Sequence, residues 1–321
     1  LRSAPPVDDF SQAMTDAEIA VPDADFGEVS IEIAWHLESP NSYFGSYSAL
    51  LALPDNMFLA ASDTGKSLRF SMPGFGGSVE IDRFAGRTAL QKKLIDIESL
   101  ARDPATGRIW AGYEGTNTIE RLESDLSGAV SFRSAAMAPW SSNSGPESMV
   151  RLDNGHFIVI SEGREQLLTA RHPALLFEGD PVEKPGVRKF TFEAPEGYRP
   201  VDMAQLPDGR VLILVRELVF GVPPAFNVKL VVADPSEIEA NAVWRGREIA
   251  VIADPSLRDN YEGLAITPRD DDRVDLWLIS DDNGTMFQRT LLLKLNWDPA
   301  ESAPETEKAR EKPARPANSS S

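Results

Sequence analysis

Residues 97–114 read IESLARDPATGRIWAGYE. One apolar run ends in a Pro/Thr/Gly turn, a second run returns, and an acid stands near each end; this is the pattern of two short antiparallel strands joined by a turn. The unit recurs as YSALLALPDNMFLAASD at 47–63, PESMVRLDNGHFIVISE at 146–162, VDMAQLPDGRVLILVRE at 201–217 and YEGLAITPRDDDRVDLWLISD at 261–281. Two columns align across these units. Ser48, Glu98, Glu147, Asp202 and Glu262 open the first strand, and Asp63, Glu114, Glu162, Glu217 and Asp281 close the second. The columns are separated by 15 residues in three units, 16 in one and 19 in the last, where RDDDR lengthens the turn.

Further strand-like runs follow, such as SLRFSM and SVEIDRF after the first unit and NVKLVVAD and EIAVIAD after the fourth. Four antiparallel strands about every 50–60 residues predict the blades of an all-β propeller. The last unit is followed only by TLLLKLNW, while GEVSIEIAWHL near the start belongs to no unit. The reading is therefore five four-stranded blades, the last completed by the N-terminal strand, which pairs beside residues 290–297 and removes an exposed edge. Six blades are the alternative. Residues 1–26 read as an extended leader, 27–298 as the propeller, and 299–321, rich in Pro, Ala and charge, as a disordered tail.

The 321 residues carry a net charge of −18 and no cysteine. That charge disfavours nucleic acid and anionic lipid as partners. Without cysteine there are no disulfides, thiolate metal sites or cysteine nucleophiles. No apolar stretch is long enough to span a membrane. The chain starts at Leu1 without a basic, then apolar, leader, as a trimmed N-terminus would. A small anionic substrate or ligand and a monomeric state are expected.

In a propeller the first strand of each blade lines the axis, so the first column becomes a ring. Ser48, Glu98, Glu147, Asp202 and Glu262 are expected to converge there as metal ligands. Carboxylates so crowded raise one another's pKa unless a cation lies between them. Hard oxygen donors in a wide ring suit Ca2+, which takes six to eight oxygens in loose geometry. The second column is also ordinary turn chemistry, since Asp, Asn and Gly serve hairpins; Asp281, Asp282 and Asn283 exceed what one turn needs. Of the histidines, only His172, placed in a loop ARHPALLF, is a candidate for substrate contact. No G-x-S-x-G elbow, H-E-x-x-H or P-loop occurs. The Trp and Phe residues, as in RIWAGY and DLWLIS, are expected between blades.

The runs DIESLARDPATGRIWAGYEGTNTIERL, NSGPESMVRLDNGHFIVISEG and NYEGLAITPRDDDRVDLWLISDDN, with LLLKLNW, resemble the phytase-like domain family, labelled for esterase-like activity. The likeness spans about residues 40–297 and implies an exported propeller, periplasmic or secreted. One departure stands out: Arg216 precedes Glu217 where an acidic residue followed by a basic one is expected. The ring is similar, more distantly, to that of calcium-activated nucleotidases (apyrases), five-bladed propellers with one axial calcium ligand per blade. Asp202 departs from the hydroxyl or carbonyl which that likeness implies.

Two classes of function follow. One is a calcium-dependent hydrolase of phosphate esters or anhydrides, with Lys66, Arg164, Arg216 or His172 meeting the substrate and Glu162 or Asp281 as general base. The other is a non-catalytic propeller whose calcium pins the blades and whose mouth binds a ligand or partner.

Overall fold

A computed structural model describes residues 8–87, 95–141, 143–165, 169–221, 224–285 and 288–300. The tail expected from 299 onward lies outside them beyond residue 300. The chain begins with β1 (Thr15–Ile19) and β2 (Ser30–Glu38), which join the ring only at its end. The first blade is β3 (Tyr47–Leu53), β4 (Met57–Ser62), β5 (Lys66–Ser71) and β6 (Val79–Arg83); the second is β7 (Ile97–Arg102), β8 (Ile109–Tyr113), β9 (Thr118–Leu122) and β10 (Val130–Phe132). The third is β11 (Pro146–Arg151), β12 (Phe157–Ser161), β13 (Arg171–Phe177) and β14 (Val187–Glu193). The fourth takes β15 (Arg199–Gln205), β16 (Val211–Val219), β17 (Ala225–Ala233) and β19 (Arg247–Ile252), and lends β18 (Val243–Arg245) to the third, where it pairs parallel to β14. The fifth is β20 (Asn260–Pro268), β21 (Val274–Asp281) and β22 (Thr290–Trp297), completed by β2 and then β1.

The protein is thus a five-bladed β-propeller closed by its N-terminal strand, with Ser30 opposite Asn296 and Leu37 opposite Thr290. The leader adds β1 outside β2, a fifth strand on that blade.

Apolar runs rather than strict alternation build the second strands because each blade is covered on both faces. Successive side chains point to opposite faces, and β12 shows the result. Phe157 and Val159 enter the cluster shared with the second blade, Ile158 and Ile160 the one shared with the fourth. Five such clusters among the described residues fill the five gaps between blades. All six Trp residues sit in them as expected, whereas Phe10, Phe75 and Phe220 are exposed; Trp35 stacks on Trp277 at 6.0 Å between the fifth and first blades, and Trp110 meets Phe157 edge-on at 4.9 Å between the second and third.

The stretch containing His172 is strand β13, not a loop. Pro173 suggests a break, but the ladder to β12 runs only from Phe177 to Ala174, so the missing N–H of Pro173 costs no bond on that side.

Candidate functional site

The inner strands β3, β7, β11, β15 and β20 pack against one another around the axis, and β7 also approaches β15 across it. Each inner strand carries a β-bulge at its start, between Tyr47 and Ala49, Ile97 and Ser99, Pro146 and Ser148, Pro200 and Asp202, and Tyr261 and Gly263. A bulge leaves one residue out of the ladder and re-aims its side chain. The residues so released are Ser48, Glu98, Glu147, Val201 and Glu262.

The fourth blade therefore corrects the sequence alignment by one residue: Val201, not Asp202, holds the ring position. Asp202 lies one step further along the channel, 2% exposed, with Oδ2 accepting from the Leu264 N–H at 2.7 Å and Oδ1 from Met203 at 2.8 Å. Burial pushes its carboxyl well above the usual range, opposed by those two N–H groups and that of Leu50. Leu264 belongs to the fifth blade, so this side chain ties two inner strands together and has both oxygens committed to backbone.

The second column shifts with the first. Ser62, Tyr113, Ser161, Val215 and Ser280 pair with the residues before the bulges, so the next positions are Asp63, Glu114, Glu162, Arg216 and Asp281. Four blades present a carboxylate here and the fourth presents a guanidinium. Glu217 lies beyond, where Oε2 accepts weakly from Asn227 Nδ2 at 3.4 Å.

Between the first, second and third blades the site is acidic. Carboxylate oxygens of Asp96, Glu98 and Glu114 come within 4.8 Å of one another. Glu114 lies against the carboxyl groups of both Glu147 and Asp96, so the ionisation of each depends on the others. Burial, then the charges of Glu147, Asp96, Glu114 and Asp63, push Glu98 well above the ordinary carboxylate range. Glu147 is raised likewise, by burial and then by Glu162 and Glu114, and its Oε1 is buried without a hydrogen-bond partner. Burial pushes Glu114 to about 7 and, with the charge of Asp96, Asp63 to about 6. Ser48 Oγ donates to the Ile97 carbonyl of the next blade, leaving its lone pairs available.

The opposite side carries two arginines, each paired with acids. Arg216 donates through Nη1 to Glu262 Oε1 and, at 2.5 Å, to Asn260 Oδ1, and through Nη2 to Glu162 Oε1 at 3.4 Å; its guanidinium lies 5.7 Å from the Phe226 ring. Arg199 donates to Glu162 Oε2 at 3.2 Å. Asp281 is 4% exposed, with Oδ1 taken by the Asn283 N–H at 2.6 Å and Oδ2 by Asn260 Nδ2 at 3.3 Å; burial pushes it to about 7. Its neighbour Asp282 serves structure, binding the N–H groups of Ser46 and Gly284 and the Thr290 hydroxyl. Asn283 is exposed at the turn.

Of the other candidates, His172 is fully buried. Its protonated Nδ1 donates to the carbonyls of Ser161 and Glu162 at 3.2 and 3.0 Å, Nε2 has no partner, and burial depresses its pKa to about 4. It packs beneath the mouth and reaches no solvent. Arg164 reaches the Gly197 carbonyl at 3.5 Å, and the Lys66 ammonium sits 4.4 Å from the Tyr43 ring. Sequence reasoning missed Asp96, Arg199 and Asn260. DIE at 96–98 and NYE at 260–262 carry a usable signal, a polar side chain two residues before the ring acid.

Fold and mouth define a class: a five-bladed propeller whose axial end is acidic over three blades and closed by arginines from the fourth. Within that class the chain belongs to the phytase-like family, whose model, described as esterase-like activity of phytase, matches residues 42–284. No curated protein matches it. Among solved structures it is similar to the PQQ-bound aldose sugar dehydrogenase of Streptomyces coelicolor (11% identity, 89% of this chain and 100% of that chain, TM-score 0.46). A luciferin-regenerating enzyme (12%, 82% and 83%, 0.45) and a Xanthomonas campestris gluconolactonase (12%, 88% and 100%, 0.43) are alike to a similar degree. Likenesses this distant say nothing about chemistry, which rests on the residues of the mouth. No helix among the described residues is long and apolar enough to cross a membrane.

Proposed function

We propose that the protein is a calcium-dependent hydrolase of phosphate esters or anhydrides, working at the axial mouth of an exported propeller. The observation that carries this reading is the unpartnered, buried Glu147 Oε1 in a ring shared with Glu98 and Glu262. An anionic oxygen left without a donor in a dry site is costly, and the surrounding donors are all oxygens, as a hard cation requires. Glu98 and Glu147 would hold the ion, with Ser48 Oγ beside them, and Glu262 would join them through Oε2, since Arg216 and Asn260 take its Oε1. Asp202, whose two oxygens accept from the Met203 and Leu264 N–H groups, does not belong to this set. Once bound, the ion supplies Lewis acidity toward a phosphoryl oxygen.

The chain's own residues do the rest. The arginine side of the mouth receives the negative charge of the substrate. Asp281 is better placed as general base than Glu162, because both oxygens of Glu162 are engaged by arginines, whereas Asp281 is oriented by one backbone N–H and one amide. Family membership in the phytase-like group supports an ester as substrate. The test is a turnover screen with phosphomonoesters, nucleotides, phytate and carboxyl esters, in chelator and with calcium restored. Calcium-dependent release of phosphate is expected. Absence of turnover on every ester, with calcium binding intact, would leave a ligand-binding propeller instead. Periplasmic or secreted location belongs to the same proposal and is checked by fractionating cells that express the native gene.

A further inference from the structure

Arg199 and Arg216 are direct cross-strand partners in the antiparallel ladder of β15 and β16. Like charges so placed repel one another, and here a carboxylate lies between them. Glu162 of the third blade gives Oε2 to Arg199 at 3.2 Å and Oε1 to Arg216 at 3.4 Å. One carboxyl group thus bridges two guanidinium groups, the arrangement in which arginine pairs recognise a tetrahedral or planar oxyanion. The contacts are long for charge-assisted bonds, and the Arg199 side chain is 49% exposed, so the bridge is open to solvent from the mouth. Glu162 meanwhile faces Glu114 and Glu147, and its charge makes both of them harder to ionise.

We propose that Arg199 and Arg216 form an oxyanion clamp occupied by Glu162 as a built-in placeholder, and that the phosphate group of a substrate enters by displacing this carboxylate. The inference rests on the phosphoester reading for its ligand class but not on the metal. It assigns Glu162 to gating of the anion site rather than to proton transfer.

The test is binding of methyl phosphate in chelator, followed by phosphorus NMR line broadening. Glu162→Gln keeps the shape of the side chain but removes its charge, and should bind methyl phosphate at least tenfold more tightly than the unmodified chain. The double variant Glu162→Gln with Arg199→Gln should lose that gain. Glu114→Gln, with all titrations run above pH 8 where its raised pKa no longer keeps it protonated, is the control, since it then removes a charge from the acidic wall without touching either arginine. An equal gain in Glu114→Gln would reduce the effect to overall charge and overturn the clamp. So would unchanged affinity in Glu162→Gln, or a gain that survives loss of Arg199. Because the titration contains no free calcium, these results stand apart from any failure of the calcium-dependent turnover screen.

Discussion

The second and fourth blades share one backbone plan and carry opposite charge. Each inner strand starts with a bulge, and each second strand ends facing that bulge. In the second blade these positions hold Asp96, Glu98 and Glu114; in the fourth they hold Arg199, Val201 and Arg216. The ladder fixes where side chains point, whereas their identity decides whether a blade attracts a cation or an anion. A propeller can therefore divide its mouth by sector without altering its fold, and here the acidic sector is closed by arginines from across the axis.

The sharpest way to break this comparison is at Asp202. Asp202→Ala leaves the buried N–H groups of Met203 and Leu264 without an acceptor, at about 1–3 kcal/mol each, so the melting temperature should fall further than for a substitution at any ring or mouth carboxylate. Asp202→Asn, which keeps one oxygen, should cost less and leave calcium affinity unchanged. If calorimetry instead shows Asp202→Asn weakening calcium as much as Glu147→Gln does, the ring register drawn from the bulges is wrong.

Calcium loading comes next. An ion that binds only the folded ring adds about 2.7 kcal/mol at a hundredfold excess over Kd. Magnesium should stabilise far less, because it requires a tighter octahedron and holds its waters. Thermal melts in chelator, then with either ion at matched ionic strength, measure this. Matching is needed because salt screens the self-repulsion of a chain of net charge −18.

The same melts in chelator carry a pH signature. Asp63, pushed to about 6, and Glu114 and Asp281, each pushed to about 7, retain protons in the folded chain that the unfolded chain has already released. The folded state binds more protons in that window, so stability should fall as pH rises from about 4 to above 7. Calcium, which favours the ionised form, should flatten or reverse the trend. A metal-free protein whose stability rises over this range would mean that the acidic wall is better solvated than its geometry implies.

Smallest is the contrast between the columns. Glu98→Gln, Glu147→Gln or Glu262→Gln should each weaken calcium at least tenfold, about 1.4 kcal/mol, and Glu114→Gln less. Glu217→Gln should change nothing, since Glu217 lies outside the mouth. Equal losses at Glu147 and Glu217 in a calcium titration would restore the alignment by charge in place of the alignment by bulge.

That alignment shows what the sequence makes legible. Turn residues and apolar runs specify the five blades and the closing strand, because hairpins and two-sided burial write themselves into local composition. Four of the five ring residues are also readable. The fourth fails because Asp202 to Glu217 and Val201 to Arg216 span the same 15 residues, so spacing cannot detect a slip of one, and matching acids to acids selects the wrong member. Aligning the large apolar residue two places after the ring position, Leu50, Leu100, Met149, Met203 and Leu264, would have selected Val201. Those side chains mark core packing, which tolerates a slip less readily than a surface charge does. Arg199 escaped notice for a different reason: it acts through Glu162 of the third blade, a relation that no single repeat contains.

The junction of β2 with β22 has a consequence for the order of events during synthesis. Ser30 must find Asn296, a partner translated at the far end of the chain, so this contact closes a loop containing almost the whole molecule and bears the largest entropic delay of any pairing. A nascent chain emerging from the ribosome can assemble successive blades, but its first strands must wait for the last. Until then the fifth blade exposes a raw edge. Hydrogen exchange begun during refolding should find the amides of β2 and β22 protected last, and in the mature protein the same seam is where the ring would first come open.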